Sequence, residues 1–403
     1  MHEFNATLNG LHQLVDTVAP HAASLENSPI SLEINVSKAK EEQFINAIKG
    51  HSVEERGNDP LLPEEAEKLS HELRSAFSED PAGLRSLGMA LIKVDYTPSQ
   101  QELLHRALLA MCIASLEVLI SGLVTYRYLE HKGALSNREV KFSLRELEDF
   151  EALSEVREFV ISREVDRVMF KGLEGWSEWL VEHAGLKLED LTPNYNLLFE
   201  AFQRRHAIVH NGGRASRIYR ARLEARNIDP PELDKSLAVE TEYLREVLLE
   251  LTYVGLATGA RTWAKWQPSD SALLEIEFRR YVDEYVEAGV WVTARRLANT
   301  GLELTKKEAE RCHLKLAKAL ATKKIDGLGA AKEELGEWDA SAVDRKFQLA
   351  IAAVEEDFDR VFQILEKTDM TRPSDVSWLR NPVFEEARKD PRWQSEATEA
   401  TSS

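Results

Sequence analysis

Cysteine is scarce in this sequence, which has only Cys112 and Cys312 among its 403 residues. Both lie in apolar stretches with a helical pattern, so we expect reduced core thiols and exclude a disulfide framework or a cysteine-ligated metal cluster. The sequence also lacks a Walker-type glycine loop and a Gly-x-Ser-x-Gly elbow, so nucleotide hydrolysis and serine-type catalysis have no support. No secretion signal opens the chain, which predicts a cytoplasmic protein.

Long hydrophobic runs are almost absent. The exception, at 107–124, has the length of a marginal membrane span. Glu117 lies near its centre, where an ionisable group would be costly in hydrocarbon. The run therefore favours the central helix of a soluble bundle over a membrane-spanning segment.

Positive charge is also scarce, because 51 Lys and Arg face 69 Asp and Glu and give a net charge of −18. Such acidity repels nucleic acid at long range and argues against a general nucleic-acid binder. The exception is the segment 204–226, in which seven arginines accompany one acidic residue, Glu224. We call it the basic segment, and it is the one plausible binding site for a polyanion in this sequence.

The apolar periodicity predicts an all-α protein. We expect a mainly helical N-terminal accessory region at 1–95, a helix bundle at 96–266, a C-terminal helical hairpin or repeat-like domain at 271–394, and a disordered tail at 395–403. One short strand is expected at 30–36. Helices of the bundle are expected at 99–131, 143–150, 155–181, 193–211, 216–226 and 231–266.

The helix predicted at 193–211 carries a motif of basic residues before a glycine stop. Arg205 and His210 form an Arg-x4-His pattern, and Arg204 forms Arg-x5-His with the same histidine. The bare pattern is weak, because a chain of this size would give a few matches by chance. These two are the only matches in the chain, however, and both lie in the basic segment.

This motif, with its sequel Asn211-Gly212-Gly213, resembles that of HEPN domains, a helical-bundle family of eukaryotes and prokaryotes. The resemblance implies a metal-independent endoribonuclease that needs no cofactor and cleaves RNA in a dimeric cleft. It implies that His210 acts as the acid and base and that Arg205 binds the phosphate. It also implies a physiological role as a toxin or antiviral-defence effector. Some toxin members place a tyrosine two residues after the histidine, where this chain has Gly212, so regulation at that position is in doubt.

Helix geometry limits how the two motif residues can meet. Five residues at 100° each place Arg205 and His210 about 140° apart on a regular helix. Either the helix distorts before the glycines, or the length of arginine closes the gap, or the copy in a dimer partner completes the pair. We favour the last, which would make a homodimer a condition of activity.

Other residues of the basic segment admit two interpretations each. His206 and His210 have the spacing of a zinc pair, but without an evident third ligand we expect His206 to support the cleft with Arg204 and Asn211. A further group of arginines either follows the RNA backbone or pairs with acidic patches of the protein: Arg214, Arg217, Arg220, Arg222 and Arg226. Of these we select Arg214, Arg217 and Arg220 as RNA-binding residues. Alternatively the whole domain is a non-catalytic dimeric scaffold, with C-terminal helices that bind a regulatory protein.

Overall fold

Helices make up the fold. The structure is a computed structural model that describes residues 1–17, 38–51, 63–87, 100–135, 140–336, 338, 343–368 and 378–393. Within these ranges the only β-type pairing is an isolated antiparallel bridge between Arg214 and Ser236. The predicted all-α class is therefore confirmed for the described part of the chain. The strand predicted at 30–36 and the tail predicted at 395–403 lie outside the described residues.

The described α-helices are numbered here in chain order. They are α1 His2–Thr17, α2 Lys38–His51, α3 Pro63–Ala76, α4 Gln100–Glu130, α5 Leu144–Glu148, α6 Leu153–Phe170, α7 Gly172–Ala184, α8 Leu188–Leu191, α9 Tyr195–His210, α10 Arg217–Glu224, α11 Thr241–Trp266, α12 Ser271–Glu287, α13 Trp291–Leu304, α14 Glu308–Asp326, α15 Leu328–Gly336, α16 Arg345–Val354 and α17 Phe358–Leu365. Short 3₁₀ helices lie at Lys132–Leu135, Pro268–Asp270, Pro382–Phe384 and Ala387–Lys389.

The chain divides into two compact units. The first comprises Met1–His12, Leu108–Leu237 and Glu242–Ser403, and the second comprises Gln13–Ala107 and Ala238–Thr241. In the second unit, Phe44 on α2 and Phe77 just after α3 form a small apolar core with Leu87. The domain boundaries expected from the sequence stay predictions, although the first unit continues across residues 267–270.

Side chains from α4, α7 and α11 meet in an aromatic cluster of the first unit. The Trp179 indole donates to the Tyr128 hydroxyl at 3.1 Å, and its ring meets that of Trp266 edge to face at 6.1 Å. Helix α9 joins the same group of helices, because Phe202 lies edge to face with Trp176 of α7 at 5.4 Å. These contacts fix the position of α9, which carries the motif.

Two of the expected helix boundaries were wrong. The helix predicted at 155–181 is two helices, because the chain turns at Gly172, whose φ of +66° lies in the left-handed region that glycine tolerates. The helix predicted from residue 231 begins only at Thr241. The segment before it pairs with the chain after α9 instead, where Leu237 N–H donates to the Gly213 carbonyl at 2.7 Å.

The run at 107–124 lies in α4, the one described helix that is long and apolar enough to cross a membrane. Half of its most apolar window is buried, which is consistent with a core helix of a soluble protein. Cys112 lies in this helix, and it is buried and free, as is Cys312 on α14. The predicted core position of both cysteines is thereby confirmed.

The C-terminal helices pack against their sequence neighbours, α12 on α13, α13 on α14 and α14 on α15. A partly buried ion pair connects them to the bundle, because Arg296 of α13 donates to Glu250 of α11 at 2.6 Å. The Glu250 carboxylate also accepts from Thr192 and Asn194, both at 2.7 Å. These hydrogen bonds lower the pKa of Glu250 despite its burial, so the carboxylate stays charged.

His313 of α14 makes the stability of the C-terminal helices dependent on pH. Its ring lies edge to face against Phe347 and Trp378, at 5.0 and 5.1 Å. Burial, helped by the charges of Arg279 and Lys346, lowers the pKa of His313 to about 4. Protonation therefore favours the unfolded chain, so this stability is complete above the unfolded pKa of about 6.5 and is lost as the pH falls towards 4.

We expect the free energy of unfolding of the wild-type protein to fall by about 2 kcal/mol more than that of His313→Gln when both are moved from pH 7.5 to pH 4. Urea unfolding at the two pH values measures the difference. The exposed His71 of α3 supplies the control, since His71→Gln should follow the wild-type protein. Equal acid sensitivity of wild type and His313→Gln would contradict the assignment.

Candidate functional site

Helix α9 ends at the glycine pair, as predicted from the sequence. Its buried face includes Leu198, Phe199 and Ala201, which hold it in the bundle. At the end, the Ala207 carbonyl accepts from Asn211 N–H at 2.8 Å and from Gly213 N–H at 3.0 Å. Gly212 and Gly213 have φ values of +60° and +74°, which glycine alone adopts readily. The helix stays regular through His210, so a distortion does not bring the motif residues together.

Arg205 faces α4. Its guanidinium lies 3.5 Å from the carboxylate of Glu117, and both side chains are about one third exposed. The Arg205 Nε is buried and has no hydrogen-bond partner among the described residues. Glu117, the one acid in the apolar run of α4, thus lies beside the motif arginine and partly neutralises it.

His210 contacts His206. Their ring centroids are 4.6 Å apart, and both residues are exposed to solvent. Partial burial lowers the pKa of His206, and the positive charges of His210, Arg222 and Arg205 lower it further. His206 therefore lies within electrostatic reach of all three groups.

Arg204 points away from this pair and into the protein. Its Nε donates to the Glu200 carboxylate at 2.8 Å, and its guanidinium stacks over the ring of Tyr243 at 4.2 Å. Glu200 is only 8% exposed, and it also accepts short hydrogen bonds from the hydroxyls of Tyr219 and Tyr243. Burial and the Glu200 charge raise the pKa of both tyrosines, which stay neutral donors. Arg204 therefore anchors α9 to α10 and α11.

The residues predicted to bind RNA follow the end of α9. The Arg214 guanidinium donates to the Asp234 carbonyl at 3.0 Å, and Arg217 is exposed at the start of α10. Arg220 lies 3.6 Å from the Glu224 carboxylate one turn later. Asn211 is exposed at the helix end. Arg220 thus forms an ion pair with a residue of its own helix.

Arg222 of α10 is one of the arginines for which the sequence left two interpretations open. It is exposed, and its guanidinium donates to the side-chain oxygen of Gln203 at 2.9 Å, which brings the charge of α10 to the histidine face of α9. No sequence signal separates Arg222 from Arg220, because both are arginines of one short basic helix. Only the packing of α10 on α9 distinguishes them.

The arrangement offers acid-base groups and cations on an exposed surface, which suits a phosphate-bearing substrate. The described residues contain no group of three His, Cys, Asp or Glu side chains that could hold a metal ion. Comparisons with protein-family models, with curated proteins and with solved structures find no match to this chain.

Proposed function

We propose that the chain is a metal-independent endoribonuclease of HEPN type that acts as a homodimer. The observation that carries the proposal is the exposed end of α9, where His206 and His210 are in contact between the charges of Arg205 and Arg222. The resemblance of the Arg-x4-His motif to HEPN ribonucleases supports it, as does the helical surrounding. The excess of arginine in the basic segment attracts RNA to this end of α9, while the acidic remainder of the chain repels it.

The proposed reaction is attack of a ribose 2′-hydroxyl on the neighbouring phosphate. His210 takes the proton of the 2′-hydroxyl, the new bond to phosphorus forms, the bond to the 5′-oxygen breaks, and that oxygen takes up a proton. The products are a 2′,3′-cyclic phosphate and a 5′-hydroxyl end. Arg205 stabilises the charge that grows on the phosphate oxygens.

A second protomer completes the site in this proposal. Arg205 lies against Glu117 on the α4 side, whereas His210 lies against His206, and the regular helix keeps the two about 140° apart. A two-fold axis at this end of α9 would place Arg205 of one protomer opposite His210 of its partner. The role that follows is a cytoplasmic toxin or defence effector whose C-terminal helices bind a regulatory protein.

Incubation of the purified protein with several RNA classes in excess EDTA tests the function. We expect cleavage that leaves 2′,3′-cyclic phosphate ends, and sequencing of RNA ends after induced expression should identify the substrate. Loss of cleavage in EDTA would instead favour metal ions at His206 and His210. No cleavage of any RNA would favour a non-catalytic scaffold.

A further inference from the structure

The exposed face of α9 carries three polar side chains in one row. Gln203, His206 and His210 are three and four residues apart, so they lie within about 60° of one another around the helix. His206 and His210 are exposed and in contact. The row therefore presents two imidazoles and an amide to solvent side by side.

A cation from the next helix is held over this row. Arg222 of α10 donates one N–H to Gln203 Oε1 at 2.9 Å, and guanidinium has five N–H donors, so most remain available. Glutamine is neutral, and it fixes the guanidinium without cancelling its charge. This hydrogen bond thus fixes the position of the positive charge and uses only one of the N–H donors.

Four of the other six arginines of the basic segment differ in this respect. Each of these four lies beside a carboxylate: Arg204 with Glu200, Arg205 with Glu117, Arg220 with Glu224, and Arg226 with Glu174 and Glu189. Arg222 makes no ion pair with another of the described residues. Its full positive charge is therefore available to an anion at the histidine row.

We propose that Gln203, His206 and Arg222 form a binding site for a phosphate group, which is the backbone phosphodiester of RNA next to the one that is cleaved at His210. The guanidinium fork matches two phosphate oxygens, and the His206 imidazole adds a donor when it is protonated. The assignment of RNA as the source rests on the proposed function, whereas the anion site itself does not. A divalent metal ion would be repelled here by Arg222.

Proton linkage gives the site a measurable signature. In the free protein, partial burial and the charges of His210, Arg222 and Arg205 lower the pKa of His206. A phosphate bound among them introduces negative charge, so it raises the pKa of His206 and binds more tightly as the pH falls through that pKa. Removal of the Arg222 charge also raises the pKa of His206 in the free protein.

Histidine NMR titrations of wild type, Arg222→Gln and the control Arg163→Gln, which removes the same charge from an exposed position on α6, test the proposal. The two probes are inorganic phosphate and a 2′-O-methyl RNA oligonucleotide, which cannot be cleaved by 2′-hydroxyl attack. We expect the oligonucleotide to raise the pKa of His206 in wild type and Arg163→Gln, and to bind Arg222→Gln about tenfold more weakly. Both substituted side chains are on the surface, and circular dichroism checks that the variants fold.

Each outcome decides the proposal. The proposal is overturned if both variants lose oligonucleotide affinity equally. It is also overturned if neither probe changes the pKa of His206 in the wild-type protein. A response to inorganic phosphate without one to the oligonucleotide overturns the RNA source. If Arg222-dependent oligonucleotide binding is found while no RNA is cleaved, the phosphate site stands and the proposed ribonuclease function fails.

Discussion

Replacement of His210 by alanine is expected to lower the rate of RNA cleavage by about 10²–10⁴-fold, which is the usual contribution of a positioned acid-base group. His210 is exposed at the end of α9, so its removal creates no cavity and should leave the free energy of unfolding nearly unchanged. Single-turnover cleavage of a fluorescent RNA in EDTA measures the effect.

Control variants separate this role from a general loss of positive or polar surface. His71→Ala changes an exposed histidine of α3 and should cleave at the wild-type rate. Arg205→Ala should lose activity to a similar degree as His210→Ala, because the phosphate then lacks its charge partner. Wild-type rates from both Arg205→Ala and His210→Ala would remove the two residues from the mechanism.

A mixing experiment shows whether the pair is formed within one chain or across two. Neither Arg205→Ala nor His210→Ala cleaves alone in the proposed mechanism. In a heterodimer of the two, one composite site would hold an intact arginine and an intact histidine. Equal mixing should then restore about a quarter of the wild-type activity, because half of the dimers are mixed and each has one good site. No recovery in dimers shown to exchange would place the pair within one protomer.

The end of α9 could be predicted from the sequence because its signals are local. Two consecutive glycines supply the left-handed conformations that close a helix, and the apolar spacing before them gives the buried face. The all-α class follows from the same periodicity over the described chain. The break at Gly172 was missed because a single glycine in a helical pattern is compatible with a continuous helix.

The different roles of adjacent arginines could not be predicted. Charge counting treats Arg204 and Arg205 alike, but one residue turns a helix by 100°, so they point to different neighbours. Arg204 meets Glu200 inside the protein, and Arg205 meets Glu117 on α4. Likewise, the contact of Arg222 with Gln203 depends on how α10 packs on α9. Partners distant in sequence determine which arginine keeps its charge for a ligand.

The second large effect is expected on the free energy of unfolding when Glu200 is replaced. The Glu200 carboxylate is the hydrogen-bond acceptor that connects α9, α10 and α11. Replacement by alanine leaves Arg204 without its carboxylate and removes the acceptor of the Tyr219 and Tyr243 hydroxyls. Loss of one partner from a buried charged network costs about 3–5 kcal/mol, because the remaining charge and donors are left without compensation. Urea unfolding followed by tryptophan fluorescence measures this loss.

Two further variants locate the source of the effect at Glu200. Glu200→Gln keeps the shape and one oxygen acceptor, so it should lose less stability than Glu200→Ala. Glu224→Ala removes the exposed partner of Arg220, and a surface pair of this kind contributes at most about 1 kcal/mol. A loss below that value for Glu200→Ala would show that Arg204 is not fixed by the buried carboxylate. Arg204 would then be able to turn towards the histidines and take part in binding the phosphate. The stability of Glu200→Ala therefore decides whether Arg204 supports the site through the fold or by contact with the substrate.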